Sequence, residues 1–214
     1  MAINLQKGQT INLEKSQYDL STVTIGLGWD IKKSGGGGGL LGGLLGGGSK
    51  EYDLDAMAFL LDANDKVASV GNDKLQGGDV IFFNNKTHPT GQIWSTGDNR
   101  TGAGDGDDEQ IVVKLNTLDP RYNKIVFVVA IYEGQKNKQH FGMVENAYIR
   151  AIDAKGLEMT RFSLSADATY NGMCSMVFAE VYRKDANWKF RALGNPHQTD
   201  MFVQLLQSYL PQRA

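Results

Sequence analysis

The run IVFVVAIY, residues 125–132, decides the fold. It is the longest strongly apolar run in the chain, it is rich in β-branched residues, and it is far short of the ~20 residues that a membrane-spanning helix needs. A short, continuous apolar run of this kind reads as a central strand buried on both faces. Working outward, Asn146 to Ile152, Leu157 to Leu164, Met173 to Tyr182 and Trp188 to Leu193 follow as strands. Ala154-Lys155-Gly156 and Lys184-Asp185-Ala186-Asn187 supply hairpin turns between them. On the other side lie Ile111 to Leu115, the short Ile93-Trp94 and Val80 to Phe83, and Asp53 to Leu61, which is apolar on both sides after its start. Val23 to Trp29 places Val23, Ile25 and Leu27 on one face and ends in Asp30, and Ile3–Leu5 with Ile11–Leu13 reads as a hairpin about Lys7-Gly8-Gln9. Roughly ten short strands with regular turn signals predict an all-β chain, a β-sandwich of two sheets. Only Thr199 to Leu210 looks helical, with Met201, Phe202, Leu205, Leu206 and Tyr209 on one stripe and Pro211 ending it.

Composition bounds what such a sandwich can do. The 214 residues suit one domain, 1–214, and the formal charge of −2 gives no global field toward nucleic acid or an anionic membrane, so no nucleic-acid partner is expected. The one cysteine, Cys174, excludes an intrachain disulfide framework and a multi-thiolate zinc site, and points to a reducing compartment. The start, MAINLQKGQTINL, lacks the pattern of a secretory signal, and with no transmembrane segment the expectation is a soluble protein. Residues 34–49, SGGGGGLLGGLLGGGS, predict a flexible Gly/Leu-rich insertion, since glycine has much backbone entropy to lose and no side chain to bury. The pairs Leu40-Leu41 and Leu44-Leu45 leave open a docking finger toward a membrane or partner.

The chemistry concentrates in STGDNRTGAGDGDDEQ, 95–110, where Asp98, Asp105, Asp107, Asp108 and Glu109 crowd around one cation, Arg100, among Gly97, Gly102, Gly104 and Gly106. Like charges held this close need compensation. Hard oxygen donors on a glycine-rich backbone suit Ca²⁺, which takes six to eight oxygens. An EF-hand register fails, because Arg100 and Ala103 fall where a ligand and the turn glycine belong. A solvated acidic turn is the plain alternative. Asp53 and Asp55 share a strand face, and Asp30 stands at a strand end.

The run GDNRTGAGDGDDE, together with GLGWD at 26–30, DLDA at 53–56, FGMVENAYIR at 141–150 and WKFRALG at 188–194, closely resembles the TerD family of tellurium-resistance and stress proteins. The resemblance covers nearly the whole chain in the same order, departing in the long glycine tract and the polar tail. It implies a two-sheet sandwich binding Ca²⁺ at one end, in bacterial cytoplasmic proteins of the tellurite and general stress response, with no established reaction. The metal ligands expected are Asp30, Asp53, Asp55, Asp98, Asn99, Asp107, Asp108 and Glu109, with Thr101, Gly102 and Gly104 giving hydroxyl or backbone oxygen. Asp105 is expected to face outward and Glu145 is an outside candidate. Counted with Asp105, the eight carboxylates gathered here, Asp30, Asp53, Asp55, Asp98, Asp105, Asp107, Asp108 and Glu109, exceed what one ion uses, so two Ca²⁺ ions are expected.

Enzymatic readings fare poorly, and the expectation is a non-enzyme. Gly-x-Ser-x-Gly and His-Glu-x-x-His are absent, and His88, His140 and His197 stand far apart in polar segments, where surface positions are expected. Cys174 with Met173 and Met176 reads as core packing. The functional expectation is a calcium-dependent module acting through other stress-system proteins or at a membrane surface, cytoplasmic or peripheral at the inner membrane. The alternative is a metal-dependent hydrolase using the same acidic cluster. A concave, partly apolar pocket at the metal end would favour the enzyme, and a flat end the module.

Overall fold

The computed structural model describes residues 2–31, 52–96, 106–164 and 168–212. Twelve strands run through them: β1 (Ile3–Leu5), β2 (Thr10–Leu13), β3 (Val23–Ile31), β4 (Leu54–Leu61), β5 (Val80–Ile81), β6 (Ile93–Ser95), β7 (Glu109–Val113), β8 (Lys124–Ile131), β9 (Val144–Ile152), β10 (Glu158–Ser163), β11 (Ser175–Lys184) and β12 (Asn187–His197). They form two six-stranded sheets, ordered β1-β10-β9-β3-β7-β6 and β2-β12-β11-β8-β4-β5.

Alternation along the strands builds the core between these sheets. Val23, Ile25, Leu27 and Trp29 of β3 meet Leu54, Ala56, Ala58 and Leu60 of β4 and Ile125, Phe127, Val129 and Ile131 of β8 in one apolar cluster. The other side of β4 and β8 is apolar too, and the C-terminal helix covers it. Met57, Phe59 and Leu61 with Val126 and Val128 form a second cluster with Leu205 and Leu206 of helix α2 (Phe202–Gln207). This is why 125–132 carries no polar alternation: β8 is roofed on both faces. The helix spans six residues where the sequence suggested Thr199 to Leu210, and Tyr209 beyond its end still packs on Phe59, with ring centroids 5.7 Å apart.

The expected pairing of the first two strands needs correction. Ile3–Leu5 and Ile11–Leu13 are not a hairpin: β1 pairs in parallel with β10 in one sheet, while β2 pairs antiparallel with β12 in the other. The chain crosses between sheets at Gly8, whose φ of 84° is the left-handed region that glycine enters at little cost. Between β8 and β9 the chain forms a one-turn helix at Gly134–Asn137 and then a 3-10 turn at Phe141–Met143. By contrast the turn at 184–187 is the tight hairpin expected, with Asp185 and Ala186 both left-handed at φ 52° and 61°.

His88 is also not a surface residue. It is 2% exposed, and its Nε2 lies 3.1 Å from Asp79 Oδ1 while Nδ1 accepts the Thr90 backbone N–H at 3.2 Å. The Tyr122 hydroxyl donates to the same Asp79 oxygen. Burial opposes the Asp79 charge, but His88, Tyr122 and the Ser69 N–H together outweigh it and hold its pKa below the usual value. His140 is half-buried and His197 is exposed, closer to expectation.

Candidate metal centre

The end of the sandwich at which β3 finishes and β7 and β9 begin carries the candidate site. In cross-strand register, Gly26 of β3 lies between Gln110 of β7 and Arg150 of β9, and Arg150 lies opposite Arg161 of β10. The neighbouring row is Gly28, Tyr148 and Ser163. Both rows face away from the core, because the residues between them, Leu27 and Ile149, are buried in it.

Glycine at 26 and 28 makes room for what lies on this face. A Cβ on Gly26 would collide with the carboxylate of Asp107, and one on Gly28 would come 2.5 Å from the Tyr148 ring. Asp107 therefore lies over Gly26, its side chain wholly buried, and accepts from Arg150 Nε at 2.7 Å, Tyr148 Oη at 3.0 Å and Gln110 Nε2 at 3.2 Å. Arg150 and Arg161 face each other as like charges, which a sheet tolerates only with compensation. Glu158 supplies it, accepting from Arg150 Nη1 at 2.8 Å and from Arg161 Nε and Nη2 at 2.8 and 2.9 Å. The Arg161 hydrogen bond, with Arg150 adding to it, holds the Glu158 carboxyl down to about 2. The Arg161 guanidinium also stacks 4.0 Å from the centre of the Tyr148 ring. Burial first, then the neighbouring Asp107, pushes the Tyr148 hydroxyl up to about 12, so it stays a donor, also to Gly106 O at 2.8 Å.

Next to this network lie the remaining acidic groups. Asp108 donates its backbone N–H to Leu27 O at 2.7 Å and accepts the Trp29 N–H on Oδ2 at 2.9 Å, extending the β3–β7 ladder past Glu109. Burial pushes the Asp108 carboxyl up, and the charges of Asp30 and Asp107 add to that. Between Gly28 and Asp30 the register slips: the pairs Gly28–Tyr148 and Asp30–Glu145 put one extra residue on β9. This is a bulge, with Asn146 at φ 52°, and it lets Asn146 Nδ2 donate to Asp30 Oδ2 at 2.7 Å. An open, mostly polar pocket of about 470 Å³ sits here, with Trp29, Asp30, Asp108, Asn146, Tyr148 and Arg161 in its walls.

The sequence-derived ligands divide accordingly. Asp30 and Asp108 line one pocket, and Glu109, 6% exposed, pairs with Leu27 on the core side of the sheet. Asp53 and Asp55 enter β4 at the same end, since Leu54 pairs with Ile131 at the end of β8. Alternation sets them on the side of β4 that carries Met57 and Phe59, away from the face between the sheets. Asp107 is taken up by its ion pair. Glu145 is exposed and in register with Asp30. Asp98, Asn99, Thr101, Gly102 and Gly104, with Asp105 and the insertion at 34–49, lie outside the described residues. Among the described residues no three Asp, Glu, His or Cys side chains converge as one metal ion would require.

The acidic stretch gives no sign of Trp29, Tyr148, Arg150, Glu158 and Arg161, which stand around the site. A signal for them was present: Tyr148 and Arg150 share one strand face two residues apart, beside a strand with glycines at the matching alternate positions 26 and 28.

Comparison with known proteins fits this arrangement. The model of the TerD domain matches residues 1–209. A tellurium resistance protein TerX of Serratia marcescens is 54% identical, the alignment covering 98% of this chain and all of the relative. The stress response protein SCP2 of Bacillus subtilis (strain 168) is 40% identical over 98% of this chain and 100% of its own length. A crystal structure of a telluride resistance protein (TerD) homologue from Streptomyces coelicolor A3(2) superposes with TM-score 0.60 over 89% of this chain and 99% of that one, at 21% identity, and so speaks for the fold alone. With a family match along nearly its whole length and a relative more than half identical, this chain belongs to the TerD domain family.

Proposed function

We propose that this protein is a calcium-binding module of the bacterial tellurite-resistance and general stress response, acting through calcium-dependent contacts with other proteins of that response or with a membrane surface. The response is taken from relatives named for tellurium resistance and stress. The observation that carries the calcium reading is Asp108, a carboxylate 8% exposed whose charge is opposed by burial and by Asp30 and Asp107. A cation in the adjoining pocket relieves that opposition. Asp30 and Asp108 would hold one side of the ion. Glu109, Asp53 and Asp55 with the oxygens of Asp98, Asn99, Thr101, Gly102 and Gly104 would complete six to eight ligands for each of two ions. Asp107 is left out of this set, because its carboxylate already accepts from Arg150, Tyr148 and Gln110.

The fitted chemistry is that of a hard cation with oxygen ligands, which fixes a loop and presents charge rather than reacting. Calorimetric titration tests it. Ca²⁺ should bind, Mg²⁺ should substitute poorly because it keeps its waters and wants compact octahedral geometry, and Asp108→Asn should weaken Ca²⁺ roughly tenfold. Absence of heat with Ca²⁺ sinks the reading. One observation favours the hydrolase alternative: this end is concave, not flat. Calcium-dependent turnover of an activated phosphate ester, lost in Asp108→Asn, would move the assignment there.

A further inference from the structure

The buried group Asp79–His88–Tyr122 takes no part in the acidic end of the molecule, yet it reaches the surface in a hydroxyl. His88-Pro89-Thr90-Gly91 is a tight turn in the loop that leads from β5 of one sheet to β6 of the other, closed beneath by a bridge between Thr87 and Trp94. The Gly91 N–H donates to His88 O at 2.8 Å, proline presets the second position, and Gly91 takes a left-handed φ of 65°. The turn folds Thr90 back onto the His88 ring, with Thr90 Oγ1 2.8 Å from Nδ1. His88 is buried, whereas Thr90 is exposed.

The hydrogen bonds fix where the protons lie. Nδ1 accepts the Thr90 backbone N–H at 3.2 Å and so carries no proton, which puts the ring proton on Nε2, facing Asp79 Oδ1 at 3.1 Å. Two bare lone pairs would repel at 2.8 Å, so the Thr90 O–H points at Nδ1. Asp79 accepts from His88 and from the Tyr122 hydroxyl on Oδ1, and from the Ser69 N–H on Oδ2 at 2.8 Å. Its carbonyl accepts the Leu60 N–H of β4, and the His88 N–H donates to Ile93 O of β6, so both residues are pinned to strands. Hydroxyl, imidazole and carboxylate thus stand in series, the order in which a base activates a hydroxyl nucleophile, with the two ring nitrogens exchanged relative to the serine-protease triad.

We propose that Thr90 is an acylation site, whose Oγ1 takes an acyl group from an activated donor, a thioester or aryl ester, with His88 as general base. Oγ1 bonds to the donor's carbonyl carbon as its proton passes to Nδ1, and Asp79 stabilises the imidazolium. The bond from that carbon to the leaving sulfur or oxygen then breaks. The departing thiolate or phenolate takes the proton from Nδ1, and His88 returns to neutral with Thr90 esterified. The next two backbone N–H groups are engaged, Gly91 with His88 O and Gln92 with Thr90 Oγ1 at 3.3 Å, so neither serves as an oxyanion donor. The donor must therefore be an activated one, and the product, an ordinary alkyl ester, persists as a mark on the chain. No calcium is involved.

Incubation of the full chain with p-nitrophenyl acetate, followed by peptide mass spectrometry, tests this. Thr90 should gain an acetyl ester at least about a hundredfold faster than Thr87, an exposed hydroxyl of the same loop, as general-base catalysis supplies. The rate at Thr90 should level off with rising pH once its base is deprotonated, while that at Thr87 keeps climbing with hydroxide. His88→Gln, which keeps a donor and an acceptor and whose fold is checked by circular dichroism, should lose the excess, and Thr90→Ser should retain it. Should His88→Gln not fold, the wild-type ratio and pH profile decide. No acetyl ester accumulating on Thr90, a rate equal to that at Thr87, or the same excess in folded His88→Gln overturns the assignment.

Discussion

Gly26→Ala is the sharpest probe of how the site is carried on the fold. The methyl group would occupy the space of the Asp107 carboxylate, so Asp107 must leave its three donors, Arg150 at 2.7 Å, Tyr148 at 3.0 Å and Gln110 at 3.2 Å. Breaking a buried ion pair costs about 3–5 kcal/mol. Arg150 is 22% exposed and keeps Glu158 on Nη1, so solvent screening and the surviving pair reduce this to roughly 2–3 kcal/mol. At about 2–4 °C per kcal/mol for a domain of this size, the thermal midpoint should fall by roughly 4–12 °C. Calorimetric melting of four proteins measures it: wild type, Gly26→Ala, Asp107→Ala and the double variant. In the Asp107→Ala background the space over residue 26 is already vacated, so the second substitution should cost almost nothing, a coupling of roughly 2–3 kcal/mol. A midpoint for Gly26→Ala within about 2 °C of wild type, or an equal fall in both backgrounds, refutes the reasoning.

Further tests address other parts of the molecule. The Glu158 carboxyl is lowered from 4.5 to about 2, so its contribution is fully present above pH 4.5 and is lost as pH falls through 2. With the side chain 22% exposed, the full shift is discounted to about 1–2 kcal/mol, and Glu158→Gln should remove that part of the stability–pH curve between pH 5 and 2. An unchanged curve contradicts the network described. Cys174 is 4% exposed, donates to Gln139 O at 3.3 Å and has a thiol pushed up by burial, so it should react slowly with a thiol reagent under native conditions. Labelling as fast as in unfolded protein contradicts this. Leu206, 3% exposed on the buried face of α2, should cost about 2–4 kcal/mol on truncation to alanine, measured by denaturant unfolding. A cost under about 0.5 kcal/mol would mean that the helix is not a roof for β4 and β8.

The sandwich was legible because strand periodicity reports burial directly. β3 alternates where one face is buried, and β4 and β8 lose alternation where the second face is roofed by α2. The sheet assignment of β1 and β2 was not, since strands of three and four residues carry no mark of their partners. The Asp79–His88–Tyr122 group was invisible for a related reason: its members lie 9, 34 and 43 positions apart, and only the fold brings them together. Within the candidate site the acidic stretch stood out by charge density. Charge density does not reveal which carboxylate already has a partner, and Asp107 looked no different from Asp108. Arg150 and Arg161 lie eleven positions apart on separate strands, and only the register sets them opposite each other.

The central claim is that the crowded carboxylates at this end are made for calcium. Thermal unfolding of the wild-type protein in chelator and in millimolar Ca²⁺ tests it most directly, because binding to the native state alone adds RT ln(1 + [L]/Kd), about 2.7 kcal/mol at a hundredfold excess over Kd. The calcium form should therefore melt roughly 5–11 °C higher, with a smaller increment for Asp108→Asn. Identical midpoints in chelator and in calcium would leave the stretch 95–110 an acidic surface turn and contradict the account.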